Sequence, residues 1–359
     1  MTIEAARSVL LVIPTLNEAR ALPGVLRSLR QDLPADARVT LVVADGGSTD
    51  GTVELVRQIS ESDPGLHLLI NPRRVQSAAI NLAAKTFGRG VDVLVRCDAH
   101  AAYPAGFVLR LLETLDRTQA DAVVVPMDSC GTTCFQRAVA WVSNSWAGTG
   151  GSAHRRGHRS GFVDHGHHAA FRMSSFMRAG GYDESFTHNE DAELDCRQRR
   201  LGSQVYLDAT IRLSYHPRDT VRGLARQYFS YGKGRSRTVR RHPGSMRARQ
   251  LALPANLVIS TLAISLAPVY PLTLAWPLAY VAALGFTSIS IAWQQRSMCG
   301  LLSGFAAGTM HVCWAAGFFS GLAFVRESAW QPEHPAAHDM SPSGRVRSEE
   351  RRVGKECTI

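Results

Sequence analysis

The C-terminal third of the chain limits the possible folds more than any other feature. Residues 251–325 are apolar and carry a single charged side chain, Arg296. Pro268 and Pro271 divide the first part of this stretch into two segments, each close to the roughly 20 residues that a helix needs to cross a bilayer. Residues 299–325 supply a third segment of similar length. The sequence therefore predicts about three transmembrane helices, with buried helices of a soluble core as the alternative.

The flanking charges predict how these helices are oriented. Basic residues precede the first segment, and Arg296 separates the second from the third. Because positively charged loops stay on the cytoplasmic side, both loops are expected there. The N-terminal apolar run is too short for a signal peptide and lacks a cleavage site. We therefore expect a multi-pass protein of the bacterial inner membrane whose polar domain is cytoplasmic.

The basic residues are concentrated just before the apolar third. The formal net charge is +10, and Arg and Lys cluster at 218–249. Such a cluster can bind nucleic acid, anionic lipid or sugar-nucleotide phosphates. Its position beside the apolar segments favours lipid headgroups, so the membrane is the expected partner and nucleic acid is not. We divide the chain into a cytoplasmic domain (1–220), a basic interfacial segment (221–250) and the transmembrane helices (251–325).

The polar domain alternates short apolar runs with amphipathic stretches. Continuous apolar strands that alternate with helices indicate an α/β fold with a parallel sheet covered on both faces. Strands are expected at 9–13, 39–44, 66–70, 93–97 and 122–126, and helices at 19–31, 52–60, 75–87, 105–117 and 192–201. Residues 128–181 are rich in Gly, Ser, His and Arg, which predicts loops that close over a ligand.

Three stretches of the polar domain run from apolar residues into acid. They are VVADGGSTDG (42–51), VLVRCDAH (93–100) and FTHNEDAELD (186–195). A strand that ends in Asp puts a carboxylate on the rim of a sheet, where open α/β folds bind ligands. Asp45 is followed by two glycines, which permit close backbone approach. The pattern differs from the glycine fingerprint of dinucleotide folds and indicates a charged, phosphate-bearing substrate.

The sequence resembles the family 2 glycosyltransferases over about residues 10–240. The order and approximate spacing of that family are matched by four motifs: IPTLNE (13–18), ADGGSTDGT (44–52), CDAH (97–100) and HNEDAELDCRQRRLG (188–202). Within the family, the chain is most similar to the membrane-bound bacterial enzymes of the succinoglycan ExoA type. The resemblance implies a GT-A (Rossmann-like) nucleotide-diphospho-sugar transferase domain over 1–220, followed by C-terminal transmembrane helices.

The resemblance also implies roles for individual residues on the donor side. Pro14, Glu18 and Asp45 are expected to hold the uracil and ribose of a UDP-sugar. Asp98 and His100 occupy the family's DxD position, where a divalent cation (Mn²⁺ or Mg²⁺) bridges the diphosphate. Histidine in the last place favours Mn²⁺, because Mg²⁺ prefers oxygen ligands. A hydrogen bond from His100 to phosphate is the alternative.

On the acceptor side, Glu190-Asp191 matches the family's ED motif, which makes Asp191 the expected catalytic base. A base is needed because the acceptor hydroxyl loses a proton as it attacks the anomeric carbon. Glu190 is expected near acceptor or phosphate, or as a charge that favours the N-terminus of a helix. Gln227 and Tyr231 fall where relatives carry a QxxRW-like element and are assigned to the acceptor site.

Two further groups of residues carry weaker hypotheses. Lys233, Arg235 and Arg237 are candidates for holding a pyrophosphate, unless this helix is an interfacial one with lipid-facing arginines. The loop 154–172 is expected to cover donor and acceptor, with Arg172 and two loop arginines near phosphate. A zinc site at its histidines is disfavoured for lack of a second ligand pair. The two loop arginines are Arg155 and Arg156. The loop histidines are His154, His158, His165, His167 and His168.

The cysteines and the tail complete the sequence expectations. The seven cysteines are scattered singly, which predicts reduced thiols rather than disulfides. Residues 326–346 are rich in Pro, Ser and His and are expected to be disordered. Residues 347–359 contain RSEERRVGKEC, which looks like a translated sequencing adapter.

The combined expectation is an inverting hexosyltransferase of exopolysaccharide or cell-surface glycan biosynthesis. It would transfer a hexose, glucose in the first instance, from a UDP-sugar to a polyprenyl-diphosphate-linked saccharide. One alternative is direct transfer to a polyprenyl phosphate, as in dolichol-phosphate-mannose synthases. The other is a non-catalytic membrane scaffold with a degenerate domain of the same fold.

Overall fold

The computed structural model describes residues 7–31, 33, 38–150, 159–327 and 330. The strands are β1 (Ser8–Thr15), β2 (Arg38–Asp45), β3 (Leu66–Ile70), β4 (Val93–Arg96), β5 (Ala122–Val125), β6 (Met127–Ser129), β7 (Gly161–Val163), β8 (His167–Arg172), β9 (Val205–Leu207) and β10 (Leu213–Tyr215). The helices are α1 (Leu22–Gln31), α2 (Thr52–Glu61), α3 (Gln76–Phe87), α4 (Phe107–Thr118), α5 (Cys134–Ser143), α6 (Trp146–Thr149), α7 (Met173–Arg178), α8 (Glu190–Arg200), α9 (Val221–Arg241), α10 (Ala248–Leu266), α11 (Ala275–Gln294) and α12 (Ser303–Phe324).

The main sheet is mixed rather than parallel. Eight strands run in the order β3-β2-β1-β4-β8-β5-β9-β7. β1 pairs in parallel with β2 and β4, as predicted, but β8 runs antiparallel to both β4 and β5. The expectation of a purely parallel sheet is therefore wrong at its centre. It failed because β8 belongs to the segment 128–181 that was expected to be loops.

The core lies on both faces of this sheet because strand side chains alternate. Leu11, Ile13 and Val43 pack on one face with residues of α1 and α4. Leu10 and Val12 pack on the other face with residues of α3 and α7. Both clusters are buried, which fixes the strand register and holds the carboxyl ends of β1, β2 and β4 at one edge.

Among the described residues, three helices are long and apolar enough to cross a membrane: Ala248–Leu266, Pro271–Gln294 and Met298–Phe324. The predicted number and the division near Pro271 are confirmed. The third helix is 44% buried, whereas the first two are 11% buried. The difference arises because α12 packs along α9, the helix that carries the basic segment.

Glycines allow α9 and α12 to approach closely. A Cβ on Gly232 would overlap the Trp314 carbonyl, and a Cβ on Gly317 would overlap the Phe229 carbonyl. Close backbone approach through small residues is a common way for membrane helices to associate. Beyond α12, Glu327 forms ion pairs with Arg237 and Arg241 at the end of α9.

A disulfide corrects the prediction of reduced cysteines. Cys134 at the start of α5 is bonded to Cys299, in the short turn that precedes α12. The two residues are 165 positions apart in sequence, so spacing gave no indication that they meet. Cys97, Cys130, Cys196 and Cys313 are free thiols. The bridge links the polar domain covalently to the third apolar helix.

The tail predictions fall mostly outside the described residues. This holds for the region 331–346, expected to be disordered, and for the adapter-like residues 347–359. Of the predicted tail 326–346, Arg326, Glu327 and Trp330 are described; Glu327 is held against α9 by its ion pairs, and Arg197 lies over the Trp330 ring.

We expect Gly317→Leu to lower the free energy of unfolding by about 3 kcal/mol, because the new side chain must displace backbone atoms of α9. Gly285→Leu is the matched control, since a Cβ at that position of α11 meets nothing within 4 Å. Thermal melts of both variants in detergent will measure the difference. Equal melting temperatures for the two would contradict the packing described here.

Candidate active site

A cavity of about 1430 Å³ opens at the carboxyl ends of β1 and β4 and is also lined by residues of α8, α9 and the apolar helices. Eight of the predicted site residues line it: Pro14, Glu18, Asp98, His100, Glu190, Asp191, Gln227 and Tyr231. The sheet edge was predicted from the acid-ending strands, and the structure brings these distant segments together there. The third stretch is not a strand, because residues 186–189 form a loop from which α8 begins at Glu190. The weaker candidates Arg235, His165 and His167 also line the cavity, whereas Asp45, Arg172, Lys233 and Arg237 do not.

Asp45 lies behind the cavity wall. Its carboxylate is fully buried and accepts hydrogen bonds from the backbone N–H groups of Gly47 (2.8 Å) and Ser48 (2.9 Å). It also accepts from the hydroxyls of Ser48 (2.5 Å) and Thr15 (3.3 Å). Asp45 therefore shapes the turn after β2, while its neighbours Ala44 and Gly46 line the cavity.

Arg172 is at the wrong edge of the sheet for its predicted role near phosphate. Its guanidinium donates hydrogen bonds to the carbonyls of Ala120 (2.9 Å) and Leu115 (2.8 Å). Because β8 is antiparallel, Arg172 pairs with Val93 at the amino end of β4, opposite the cavity. The same reversal brings His167 and His168, at the start of β8, to the cavity side.

The carboxylate of Asp98 is bound by neighbours on several elements. Gln76 donates a hydrogen bond to Oδ1 (3.0 Å), and His167 Nε2 lies 3.7 Å from Oδ2. Burial opposes ionisation of Asp98, but Arg96 and His167 outweigh it and lower the pKa of this carboxyl. His100 Nδ1 instead lies 2.9 Å from Glu18 Oε1, which joins the loops that follow β1 and β4.

The side chains around Asp98 fit a cation that takes most of its ligands from a substrate. Among the described residues, no three His, Cys, Asp or Glu side chains gather as a metal-binding group. Asp98 and His100 both line the cavity and offer one carboxylate and one imidazole. This donor set suits Mn²⁺, and cations at phosphate sites commonly keep one or two protein ligands beside phosphate and water oxygens.

Asp191 is the centre of a network of charged groups. Its Oδ1 accepts hydrogen bonds from Arg96 Nη1 (2.6 Å) and the Tyr182 hydroxyl (3.0 Å), and lies 3.2 Å from His168 Nδ1. Across the described part of the chain, every hydrogen bond to this carboxylate ends on Oδ1. Oδ2 is therefore left for a group that enters the cavity.

The network continues beneath Asp191. His168 Nε2 lies 2.8 Å from Asp195 Oδ1, and Asp195 Oδ2 lies 2.6 Å from His165 Nδ1. Burial would lower the pKa of the fully buried His168, but Asp195 and Asp191 raise it to about 10. His168 is consequently an imidazolium at neutral pH.

The two adjacent acids of the ED motif have opposite pKa shifts. Burial opposes ionisation of Asp191, but Arg96 and then His168 hold the pKa of Asp191 well below its usual range. Burial and the charge of Asp191 raise the pKa of Glu190 to about 7, with Arg96 Nη2 3.9 Å from Glu190 Oε1. Asp191 is therefore ionised at all physiological pH values, whereas Glu190 titrates near neutrality.

Sequence reasoning missed Arg96, Tyr182 and Asp195. Arg96 had a detectable signal, because an arginine inside the apolar run VLVRCD needs a counter-ion when the strand is buried. Asp195 ends the acidic stretch 186–195 and lies one helical turn after Asp191, which places both carboxylates on one helix face. Tyr182 had no such signal. His165, His167 and His168 pair with carboxylates rather than forming a zinc site, while the other residues proposed for this loop (154, 155, 156 and 158) lie outside the described residues.

Aromatic side chains line the part of the cavity next to α9. The Gln227 amide donates hydrogen bonds to the hydroxyls of Tyr215 (3.0 Å) and Tyr231 (2.9 Å). The ring of Tyr231 lies 5.8 Å from His188 and 5.5 Å from Tyr228, measured between centroids. Gln227 thus positions two of the tyrosines that face the cavity.

The comparisons with known proteins agree with this geometry. The model of "Glycosyl transferase family 2" matches residues 10–180. The succinoglycan biosynthesis protein ExoA of Rhizobium meliloti (strain 1021) is 43% identical over 320 residues, which cover 88% of this chain and 95% of that protein. The undecaprenyl-phosphate mannosyltransferase of Micrococcus luteus is 33% identical over 143 residues, 39% of this chain and 57% of that protein.

A solved structure shares the fold. The mannosyltransferase PcManGT from Pyrobaculum calidifontis, in complex with GDP-Man and Mn²⁺, aligns with a TM-score of 0.61 at 20% identity, over 89% of this chain and 88% of that one. The fold is that of the GT-A glycosyltransferases, and the family match and the similarity to ExoA make the chain a glycosyltransferase. The chain belongs to glycosyltransferase family 2, and it is similar to the succinoglycan biosynthesis protein ExoA.

We expect His168→Asn to lower the free energy of unfolding by about 3–5 kcal/mol at pH 7, because it leaves the buried Asp195 with only the partly exposed His165 as a counter-charge, while Asp191 keeps Arg96. Since the folded-state pKa of His168 is raised to about 10, its contribution is complete below the unfolded pKa near 6.5 and is lost as pH rises through about 10.

The measurement is a set of thermal melts between pH 6 and pH 11 for the full-length protein in detergent. The difference in melting temperature between wild type and His168→Asn should shrink toward the alkaline end. His216→Asn, which changes an exposed histidine bonded to the Cys130 carbonyl, is the control. A pH-independent difference would show that the imidazolium is not what stabilises the site.

Proposed function

We propose that the protein is an inverting hexosyltransferase that moves glucose from UDP-glucose to a saccharide carried on polyprenyl diphosphate. The observation that carries this proposal is the ionised carboxylate of Asp191, whose Oδ2 is left open in the cavity that also contains Asp98. The similarity to the succinoglycan biosynthesis protein ExoA over most of the chain supports a role in exopolysaccharide synthesis.

The donor would lie along the edge formed by β1 and β4. Pro14 and Glu18 are the proposed contacts for the nucleoside, with Asp45 supporting the turn from behind. Asp98 and His100 would hold a divalent cation beside the diphosphate. A bound cation would supply charge stabilisation for the departing nucleoside diphosphate. PcManGT, the solved structure with the same fold, was obtained with Mn²⁺.

In the proposed reaction, Asp191 Oδ2 accepts the proton of the acceptor hydroxyl as its oxygen attacks the anomeric carbon. Arg96 and His168 hold Oδ1 in place and keep the carboxyl ionised. The nucleoside diphosphate leaves from the opposite face, so one displacement inverts the anomeric centre. Glu190, Gln227 and Tyr231 are proposed to contact the acceptor, since they line the same cavity.

The proposed location is the bacterial inner membrane, with the catalytic domain on the cytoplasmic side. The three apolar helices supply the membrane spans. Arg296, between the second and third spans, and the basic helix α9 before the first favour that orientation. A lipid-linked acceptor is consistent with this arrangement because the cavity lies directly beside the apolar helices.

A second candidate function is direct transfer to a polyprenyl phosphate. The similarity to the undecaprenyl-phosphate mannosyltransferase of Micrococcus luteus favours it. The low pKa of Asp191 also favours it, because a strongly ionised carboxylate is a weak base and a phosphate nucleophile needs none. The two functions differ in how much activity depends on Asp191.

We expect Asp191→Asn to lower kcat with a lipid-linked saccharide acceptor by about 10²–10⁴-fold, the range of a lost general base. The assay measures release of UDP and labelled lipid product from membranes that contain the full chain. Asp116→Asn, which changes an α4 residue paired with Arg7, is the control and should keep wild-type activity. Full activity of Asp191→Asn on a polyprenyl monophosphate would support the second function, and no UDP release by wild type would contradict a UDP-sugar donor.

We expect chelation by EDTA to abolish transfer and Mn²⁺ to restore it better than Mg²⁺, because an imidazole is a poorer ligand for Mg²⁺. His100→Asp should shift the ratio of the two activities toward Mg²⁺. The ratio is informative because any repulsion between the new carboxylate and Glu18 affects both metals alike. An unchanged ratio would argue that His100 is not a ligand.

A further inference from the structure

Arg235 is a buried cation that lacks a counter-charge. It is 8% exposed, lines the cavity, and donates hydrogen bonds to the Gln250 side chain (2.9 Å) and the Ser245 carbonyl. Its Nε has no hydrogen-bond partner, and no carboxylate of the described residues forms an ion pair with it. Burial accordingly lowers the pKa of Arg235. Burying a guanidinium without an anion is unfavourable, so a ligand that supplies the anion would bind strongly.

Three more arginines line the same part of the cavity. Arg247 and Arg199 share one carboxylate, that of Asp164, at 2.6 Å and 3.3 Å. Arg249 donates a hydrogen bond to the Gly150 carbonyl at 3.1 Å. In the part of the chain that the structure describes, four guanidinium groups therefore meet one carboxylate. Guanidinium groups suit phosphate oxygens because they donate parallel hydrogen bonds.

The cavity does not end at these arginines. It extends to apolar side chains of all three candidate membrane helices: Ala252, Leu253, Ala283, Leu284, Met310 and Trp314. A small water-soluble anion would gain no binding energy from contact with these apolar side chains. A ligand that fills both parts needs phosphate at one end and a hydrocarbon chain at the other.

We propose that Arg235, with Arg199, Arg247 and Arg249, forms a binding site for an isoprenoid diphosphate whose chain runs along α10, α11 and α12. The inference rests on the proposed lipid-linked acceptor and assigns the residues that hold its diphosphate. This site is separate from the donor's, which lies on β1 and β4. It also revises the sequence hypothesis: Arg237 is bound to Glu327 and Lys233 is exposed, and neither lines the cavity.

The test measures binding of radiolabelled farnesyl diphosphate to the full-length protein in detergent. Wild type should bind it at least tenfold more tightly than inorganic diphosphate or farnesol. Arg235→Gln and Arg249→Gln should each weaken this binding about tenfold or more, and Arg235→Lys, which keeps the charge, should weaken it less. Lys233→Gln is the matched control, because it removes the same charge from the same helix outside the cavity.

Binding of UDP to each variant serves as the check on folding and should not change. The proposal is overturned if Arg235→Gln and Arg249→Gln, with UDP binding intact, retain farnesyl diphosphate as wild type does, or if Lys233→Gln loses it equally. It is also overturned if inorganic diphosphate binds as tightly as farnesyl diphosphate, which would make the site one for free anions. Failure of the proposed function would appear separately, as absent UDP-sugar turnover by wild type. If Arg235→Gln does not bind UDP, that variant is set aside as misfolded, and the farnesyl diphosphate binding of Arg249→Gln decides whether the proposal holds.

Discussion

The buried ion pair between Arg96 and Asp191 connects the sheet to the chemistry. Arg96 ends β4 inside the core, where an isolated charge is costly, so it requires the carboxylate that α8 provides at 2.6 Å. The pair anchors the start of α8 against the sheet and holds the proposed base ionised. The pKa of Glu190, one residue earlier, is raised instead, by burial and by the charge of Asp191. One interaction thus sets both the position and the protonation of the ED motif.

The reversed strand β8 completes this arrangement. A parallel strand in the same place would end, rather than begin, at the cavity edge, and would bring Arg172 there in place of the histidines. Because β8 is antiparallel, His168 lies between Asp191 and Asp195 and provides the second cation of the network. A buried imidazolium between two carboxylates offsets the free-energy cost of burying all three charges. A neutral side chain in the same place could not do so.

The catalytic domain and the apolar helices are joined as one structure. α12 packs along α9 at glycines, and the disulfide between Cys134 and Cys299 links α5 to the turn before α12. The cavity therefore spans both parts, with carboxylates at the sheet edge and arginines and apolar side chains toward the membrane helices. This continuity suits the proposed reaction between a water-soluble donor and a lipid-linked acceptor.

The sequence by itself determined the α/β domain, the three apolar helices and eight assigned site residues that line the cavity, because hydrophobic periodicity, strand-ending acids and short motifs are local properties of the chain. Asp98 was found as a strand-ending acid, whereas Glu190 and Asp191 were assigned from the resemblance to the family's ED motif. The tertiary structure alone decided the direction of β8, the pairing of Arg96 with Asp191, the disulfide and the displacement of Arg172 and Asp45 from the cavity. These features join residues far apart in sequence, and their geometry follows from packing and from the cost of burying charge, which no local pattern records.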